Sequence, residues 1–261
     1  MVDNLIELYA YRELLLSFAI REIKLRYKQT IMGVSWAIIQ PLVMMVVFTL
    51  IFSKFIKVSS EGLPYPIFSY SALLPWTFFS TSVSFGSVSL LTDSNLIKKI
   101  YFPRETIPLA SIIAAGVDFG IASLVFLVMM VYYRVPVSTS MLYMAVLLPL
   151  LVLFTAAVVL LLSATNVYFR DVRFAVPFIV QLWLFATPIA FSMEVVPERF
   201  RLLYVVINPL AGLIDGFRSI ILHGRPPVAA HLAVVAVVSV GLFLGSYVFF
   251  KRLERNFADV I

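Results

Sequence analysis

The chain has 261 residues, of which 62% are hydrophobic and only 13% charged, and it carries a formal net charge of +6. A soluble domain of that length could not cover so much apolar surface, so the composition points to a bilayer protein. There is no cysteine, which excludes disulfides, iron–sulfur centres and thiolate zinc sites; with two histidines, His223 and His231, a histidine-rich metal site is not expected either.

The chain opens on a basic segment. Arg12, Arg21, Lys24, Arg26 and Lys28 lie among Leu5, Leu8, Leu15, Ala19, Ile20 and Ile23, which recur at near-helical spacing. This predicts an amphipathic helix lying on the membrane face, and no small-x-small cleavage site follows it, so it does not read as a secretory signal. A membrane-crossing helix needs roughly 20 apolar residues. Six runs meet that length, at about 34–53, 67–91, 107–133, 141–164, 174–193 and 229–250. The expected fold is all-α, an integral membrane protein with six transmembrane helices, and no room remains for a separate soluble catalytic domain.

In the first span Trp36 fits an interfacial anchor and Pro41 a kink. The second holds Ser80, Thr81, Ser82, Ser84, Ser87, Ser89 and Gly86. Such small residues suit close helix packing, or a polar wall facing a water-filled path. The following hinge, TDSNLIKKIYFPRET over 92–106, mixes lysines with Tyr101 and Phe102. An ordinary loop does not explain two exposed aromatics beside ionisable residues, whereas a protein-docking surface does. Span three places Asp118 near its centre between Gly116 and Gly120. A carboxylate at that depth costs about 2.5–3.5 kcal/mol and must face other helices or water. A structural polar contact explains it better than a proton relay, since no second acidic or histidine group lies deep in another span.

The second hinge, NVYFRDVR over 166–173, lets Arg170 and Asp171 pair locally and gives the next helix a favourable N-terminal charge. Span five carries Phe174, Phe178, Trp183 and Phe185 at helical stagger. These rings are either ordinary packing groups or flat faces along a sugar path. From Met193 to Pro227, short apolar runs are broken by Asn208-Pro209, Gly212 and Gly216. Each is too short to cross, so they read as two re-entrant or interfacial helices, with Asp215 and Arg218 spaced to pair on one face.

If the N-terminus is cytoplasmic, six spans return the C-terminus to that side, with thirteen basic residues inside and seven outside. That bias follows the positive-inside rule, and the net charge reports topology rather than a nucleic-acid partner. No GxxxxGK[ST] phosphate loop, HExxH or GxSxG motif is present, so the chain is not expected to be an enzyme, and the energy for any transport must come from elsewhere.

Four segments in order carry a resemblance. Arg21-Glu22-Ile23-Lys24-Leu25-Arg26-Tyr27-Lys28-Gln29-Thr30 runs on to Gly33, Trp36 and Gln40-Pro41-Leu42, and is followed by Lys99-Ile100-Tyr101-Phe102-Pro103-Arg104-Glu105, Tyr168-Phe169-Arg170-Asp171-Val172 and Asn208-Pro209-Leu210. With six spans they resemble the polysaccharide export permeases of ABC transporters, the membrane subunits that export O-antigen, capsule or teichoic acid. The resemblance implies a single transmembrane domain over 1–261: a cytoplasmic interface helix (1–32), spans one to five (33–192), outer gate helices (193–228), then span six and a cytoplasmic tail (229–261). It implies a homodimer that forms the channel in the cytoplasmic (inner) membrane, with two copies of a separate ATPase subunit that bind ATP and Mg, and no cofactor on this chain. The substrate would be an undecaprenyl-diphosphate-linked polysaccharide.

By the same resemblance, Lys98, Lys99, Tyr101, Phe102, Arg104 and Glu105 belong to a coupling helix that receives the ATPase stroke. Arg21, Glu22, Lys24, Arg26, Tyr27, Lys28, Arg170 and Asp171 belong to the cytoplasmic interface. Trp36, Phe178, Trp183 and Phe185 line the glycan path, and Asn208, Pro209, Asp215 and Arg218 lie in the outer gate. Three alternatives stay open on the residues alone. One is an ABC exporter of a drug or lipid, with a more apolar path. Another is a proton-coupled secondary transporter using Asp118, and the third is a membrane scaffold without transport.

Overall fold

A computed structural model describes residues 7–28 and 30–257; Leu5 of the expected amphipathic helix and Gln29 of the first motif lie outside the described residues. Among the described residues the chain is helical without strands. In order the helices are α1 (Arg12–Tyr27), α2 (Trp36–Phe48), α3 (Tyr65–Thr92), α4 (Ser94–Lys99), α5 (Thr106–Tyr132), α6 (Met144–Tyr168), α7 (Val172–Phe185), α8 (Glu198–Ile207), α9 (Pro209–Ile221) and α10 (Ala229–Glu254). Short 3-10 turns lead into α2 and α6, and a π-helical stretch, Thr49–Phe55, prolongs α2.

Among the described residues, four stretches are long and apolar enough to cross a membrane: Gly33–Phe55, Thr106–Tyr132, Thr139–Tyr168 and Ala229–Glu254. The pair α8 and α9, bent by 116° at Asn208, makes a fifth candidate if taken as one broken span. Two of the six expected spans behave differently. Helix α3 has 28 residues and no charged side chain, but its serines and threonines dilute its apolar character. Helix α7 has 14 residues, about 21 Å at the α-helical rise, well short of a roughly 30 Å hydrocarbon layer. The sequence places that span at 174–193; the helix stops at Phe185, and the chain then turns through Thr187-Pro188.

Helix α3 is the axis of the bundle. Pro66 pre-sets its first turn, and it packs against α2, α5, α6, α7 and α9. A serine-rich helix can be this buried because its hydroxyls bond backward to its own backbone. Ser82 donates to the Phe78 carbonyl at 2.7 Å, Ser71 to Phe68 at 2.8 Å and Ser89 to Gly86 at 2.8 Å. The two readings of the hydroxyl-rich span prove to be two faces of one helix. Ser82, Gly86 and Ser89 are buried in helix packing, while Thr77, Ser80, Thr81 and Ser84 line a cavity.

A Cβ at Gly86 would lie 2.6 Å from Cγ1 of Val159 on α6. Valine is stiff at χ1 and cannot easily turn away. Gly86→Ala is therefore expected to destabilise by about 1–3 kcal/mol through overpacking. Adding Val159→Ala should recover part of the loss. Thermal unfolding in detergent measures both, and an unchanged midpoint for the single variant would contradict the close approach.

The core has two parts. The larger surrounds α3, with Phe68, Tyr70, Phe79, Phe154, Phe217 and Ile214 fully buried. The smaller sits where α1, α4 and the end of α10 meet, and holds Phe18, Ile97, Phe102, Leu160, Phe250 and Phe257. Only Phe18 and Ala19 of α1 are buried, and Leu16, Ile20 and Leu25 stay exposed. Helix α1 thus presents one apolar sector to the bundle and another away from it, where a single apolar face was expected.

Candidate functional site

The hinge between α3 and α5 is fastened on both sides. On one side, Asp93 is paired with Arg21 of α1, and Phe102 packs edge-on against Phe18 with ring centroids 5.6 Å apart. On the other, Glu105 is fully buried and meets Lys251 Nζ of α10 at 2.7 Å, with the Tyr247 hydroxyl donating to it at 3.4 Å. Lys251 also bonds Glu254 at 2.8 Å; Glu254 accepts the Arg104 backbone N–H at 2.9 Å, and its carbonyl accepts from the Arg104 guanidinium. Burial, with Glu254 nearby, pushes the Glu105 carboxyl above the usual carboxylate range, while Lys251 pulls it back.

What remains outward on the hinge is compact. Lys98, Lys99 and Ile100 are exposed, Tyr101 is 79% exposed, and its hydroxyl donates to Glu7 at 3.3 Å. Phe102 departs from expectation. The sequence reads it as an exposed aromatic beside Tyr101, yet it is buried against Phe18. Ile100 and Tyr101 are both exposed and Phe102 and Pro103 both buried, so the chain turns inward between the two rings.

Helix α1 is anchored a second time at its far end. Arg26 pairs with Asp118 of α5, the Tyr27 hydroxyl donates to Asp118 at 2.5 Å, and Glu22 lies 3.6 Å from Arg26. Asp118 thus has the structural partners that a half-buried carboxylate within a span requires. They come from α1 rather than from another span, so span composition alone does not reveal them. Burial, together with Asp118, holds the Tyr27 hydroxyl well above its ordinary pKa, so it remains a donor. Lys24 and Lys28 are exposed.

Above this anchor a cavity of about 780 Å³ opens between α2, α3, α5 and α7. Its walls carry Trp36 and Gln40 from α2, Thr77, Ser80, Thr81, Ser84 and Phe85 from α3, Asp118 from α5 and Gln181 from α7; Arg26 and Tyr27 close one end. Amides, hydroxyls and flat rings along an apolar wall are the groups that hold a sugar, whose hydroxyls need partners and whose C–H faces need an apolar surface.

The aromatic set of span five divides. Phe178 and Phe185 are exposed on the outer side of α7, and neither lines the cavity. Trp183 turns into the bundle, with its ring 5.0 Å from Phe79 and 6.1 Å from Phe154, and its Nε1 donates to Asn208 Oδ1 at 2.9 Å. Of the four expected path residues, Trp36 alone lines the cavity; α7 contributes Gln181, Leu184, Val180 and Pro177 instead.

At the opposite end of the bundle, Asn208 sits at the α8–α9 corner and bonds the Ala186 carbonyl at 2.9 Å and Thr187 at 3.0 Å. Pro209 takes the first position of α9, where its missing N–H costs nothing. The expected Asp215–Arg218 pair does not form. Arg218 is buried, stacked 3.7 Å over Phe68, and donates to the carbonyls of Pro188 (2.5 Å), Ile189 (2.6 Å) and Phe191 (2.9 Å). Asp215 instead faces His231 of α10 at 3.6 Å. Arg170 and Asp171 are both exposed and make no ion pair with one another among the described residues.

Residues missed by sequence reasoning include Asp93, Lys251, Glu254 and Glu61. Glu61 adopts a left-handed backbone (φ 56°) that brings its carboxylate to Ser192 and to His223 at 2.6 Å. The first three carry a faint signal, as charged residues at span ends, but their partners lie far away in the chain.

Residues 13–222 match the ABC-2 type transporter family, and the chain belongs to that family. It is similar to the O-antigen export system permease protein RfbA of Myxococcus xanthus, 33% identical over the full length of both chains. The protein of the same name from Klebsiella pneumoniae is 27% identical over 95% of each chain. The polysialic acid transport protein KpsM of Escherichia coli is 23% identical over 90% of this chain and 92% of its own.

Proposed function

We propose that this chain is the membrane subunit of an ATP-driven exporter that carries a lipid-linked, O-antigen-like polysaccharide across the cytoplasmic membrane. The observation that carries this reading is the full-length similarity to an O-antigen export permease. The hydroxyl- and amide-lined cavity beside Trp36 supports it chemically. In this reading α2, α3, α5, α6, α7 and α10 make six crossings, with the short α7 completed by the chain that follows it. The bent α8–α9 pair re-enters from the outer face as the gate, and both termini are cytoplasmic. A hydrated glycan cannot cross lipid, so two copies would join their open cavities into one protein-lined path.

The motor is a separate ATPase subunit, two copies per dimer, which holds ATP and Mg. Its docking place is the α1–α4 face, where Lys98, Lys99 and Tyr101 stand outward on a hinge clamped from behind by Asp93–Arg21 and Glu105–Lys251. A stroke delivered to so rigid a hinge moves α1 and α10 with it. Asp118 serves as the anchor of α1 and not as a proton carrier, since Arg26 and Tyr27 already engage it.

Tyr101→Ala tests the docking assignment. The side chain is exposed, so folding should survive, while export per ATP hydrolysed should fall by roughly tenfold, as for the loss of an aromatic interface anchor. Export and hydrolysis measured together in proteoliposomes decide it; wild-type coupling in this variant would sink the assignment.

A further inference from the structure

The cavity's electrostatics specify the glycan more closely than the similarity does. Among its described lining residues, the only full charges are Arg26 and Asp118, and these are paired with each other. The other polar side chains on the wall are neutral: the hydroxyls of Thr77, Ser80, Thr81 and Ser84, the amides of Gln40 and Gln181, the Tyr27 hydroxyl and the indoles of Trp36 and Trp76. Among the described residues, no unpaired cation lines the space. Lys24 and Lys28, the nearest basic side chains in sequence, are exposed and do not line it.

Passages that conduct anions carry rings of Arg or Lys to offset the loss of bulk water. A carboxylate or phosphate entering a narrow space between apolar helices without such a ring is disfavoured, because low-dielectric walls magnify the cost of an uncompensated charge. Neutral sugars meet no such penalty. They need donors and acceptors for hydroxyls and flat apolar faces for their C–H sides, and the cavity offers both. A second copy of the chain would add a second neutral wall, so dimerisation leaves the sign unchanged.

We infer that the exported polymer is an uncharged polysaccharide, and that chains bearing a carboxylate or phosphate on each repeat are excluded at this cavity. The inference rests on the exporter reading. The lipid diphosphate is carried once per chain by neutral and acidic polymers alike, so it does not enter the comparison between them.

The test uses the complex of this chain with its ATPase, reconstituted in liposomes. Two undecaprenyl-diphosphate-linked oligosaccharides of equal length are compared: one of neutral hexoses, the other with a uronic acid in every repeat. Translocation and stimulated ATP hydrolysis are read for each. The neutral probe should be translocated and the acidic one moved more slowly, by a factor on the order of tenfold or more. Gln181→Arg, which places a cation on the wall, should narrow that gap if the variant still copurifies with its ATPase, and an assembled variant with an unchanged gap counts against the inference. If it does not assemble, the comparison on the unaltered complex still decides. Equal rates for the two probes overturn the inference and leave the exporter reading standing. Movement of neither, with the ATPase bound and active, overturns the exporter reading and the inference with it.

Discussion

Arg218→Met is expected to be among the most damaging single substitutions in the chain, costing about 3 kcal/mol or more. The methionine roughly keeps the volume over Phe68 but removes every donor. The carbonyls of Pro188, Ile189 and Phe191 then lose their partner, and a buried unmet acceptor costs about 1–3 kcal/mol. Arg218→Lys should rescue little, because one ammonium cannot reproduce a planar fork that reaches three carbonyls. The chain between α7 and α8 would lose the contact that fixes its path, so the α8–α9 corner should loosen as well. Thermal unfolding of the purified protein in detergent measures the loss. An Arg218→Met variant that unfolds at the wild-type temperature would contradict the clamp.

Lys251→Met should cost about 3–5 kcal/mol, the penalty for stranding one member of a buried ion pair. Glu105 is fully buried, and its principal cation is Lys251 at 2.7 Å. Glu105→Gln combined with Lys251→Met should recover part of the loss by removing the stranded charge. The pH dependence has a definite sign. Burial already raises the Glu105 carboxyl in the folded protein, and losing Lys251 raises it further. A carboxyl with a folded pKa above its unfolded one favours the folded state when protonated. That contribution is fully present below the unfolded carboxyl pKa and is lost as pH rises through the raised folded value. The Lys251→Met defect should therefore deepen with increasing pH and be smallest in acid. Stability that is independent of pH in this variant would mean that Glu105 is not the stranded group.

Much of the helical order is legible in the sequence because long apolar runs leave few alternatives in a bilayer protein. Tyr65–Thr92, Thr106–Tyr132 and Ala229–Glu254 lie close to the expected runs, and the break at Asn208-Pro209 falls where a proline and a capping residue mark it. Side-chain direction is much less legible. Tyr101 and Phe102 are adjacent and chemically alike, and a cluster that includes Phe18 and Phe250, on distant helices, makes one buried while the other is exposed. Trp183 reads as a path residue, but it finds Asn208, a partner 25 residues away, and is drawn inward by that hydrogen bond. Asp215 and Arg218 have the spacing of a helical ion pair, yet three free carbonyls after α7 compete for the guanidinium and win. Lys251 looks like a membrane-edge anchor; that it seals Glu105 depends on a contact across 146 residues. Local periodicity reports which residues share a face, and long-range packing decides what that face meets.

ATP-driven glycan export is tested most directly by transport through the purified complex of this chain and its ATPase in sealed proteoliposomes, supplied with a lipid-linked glycan. An ATP-driven exporter should give glycan accumulation on the far side that requires ATP, stops when hydrolysis is blocked and is unaffected by collapse of a proton gradient. Glycan movement that proceeds without ATP and follows the proton gradient would contradict it.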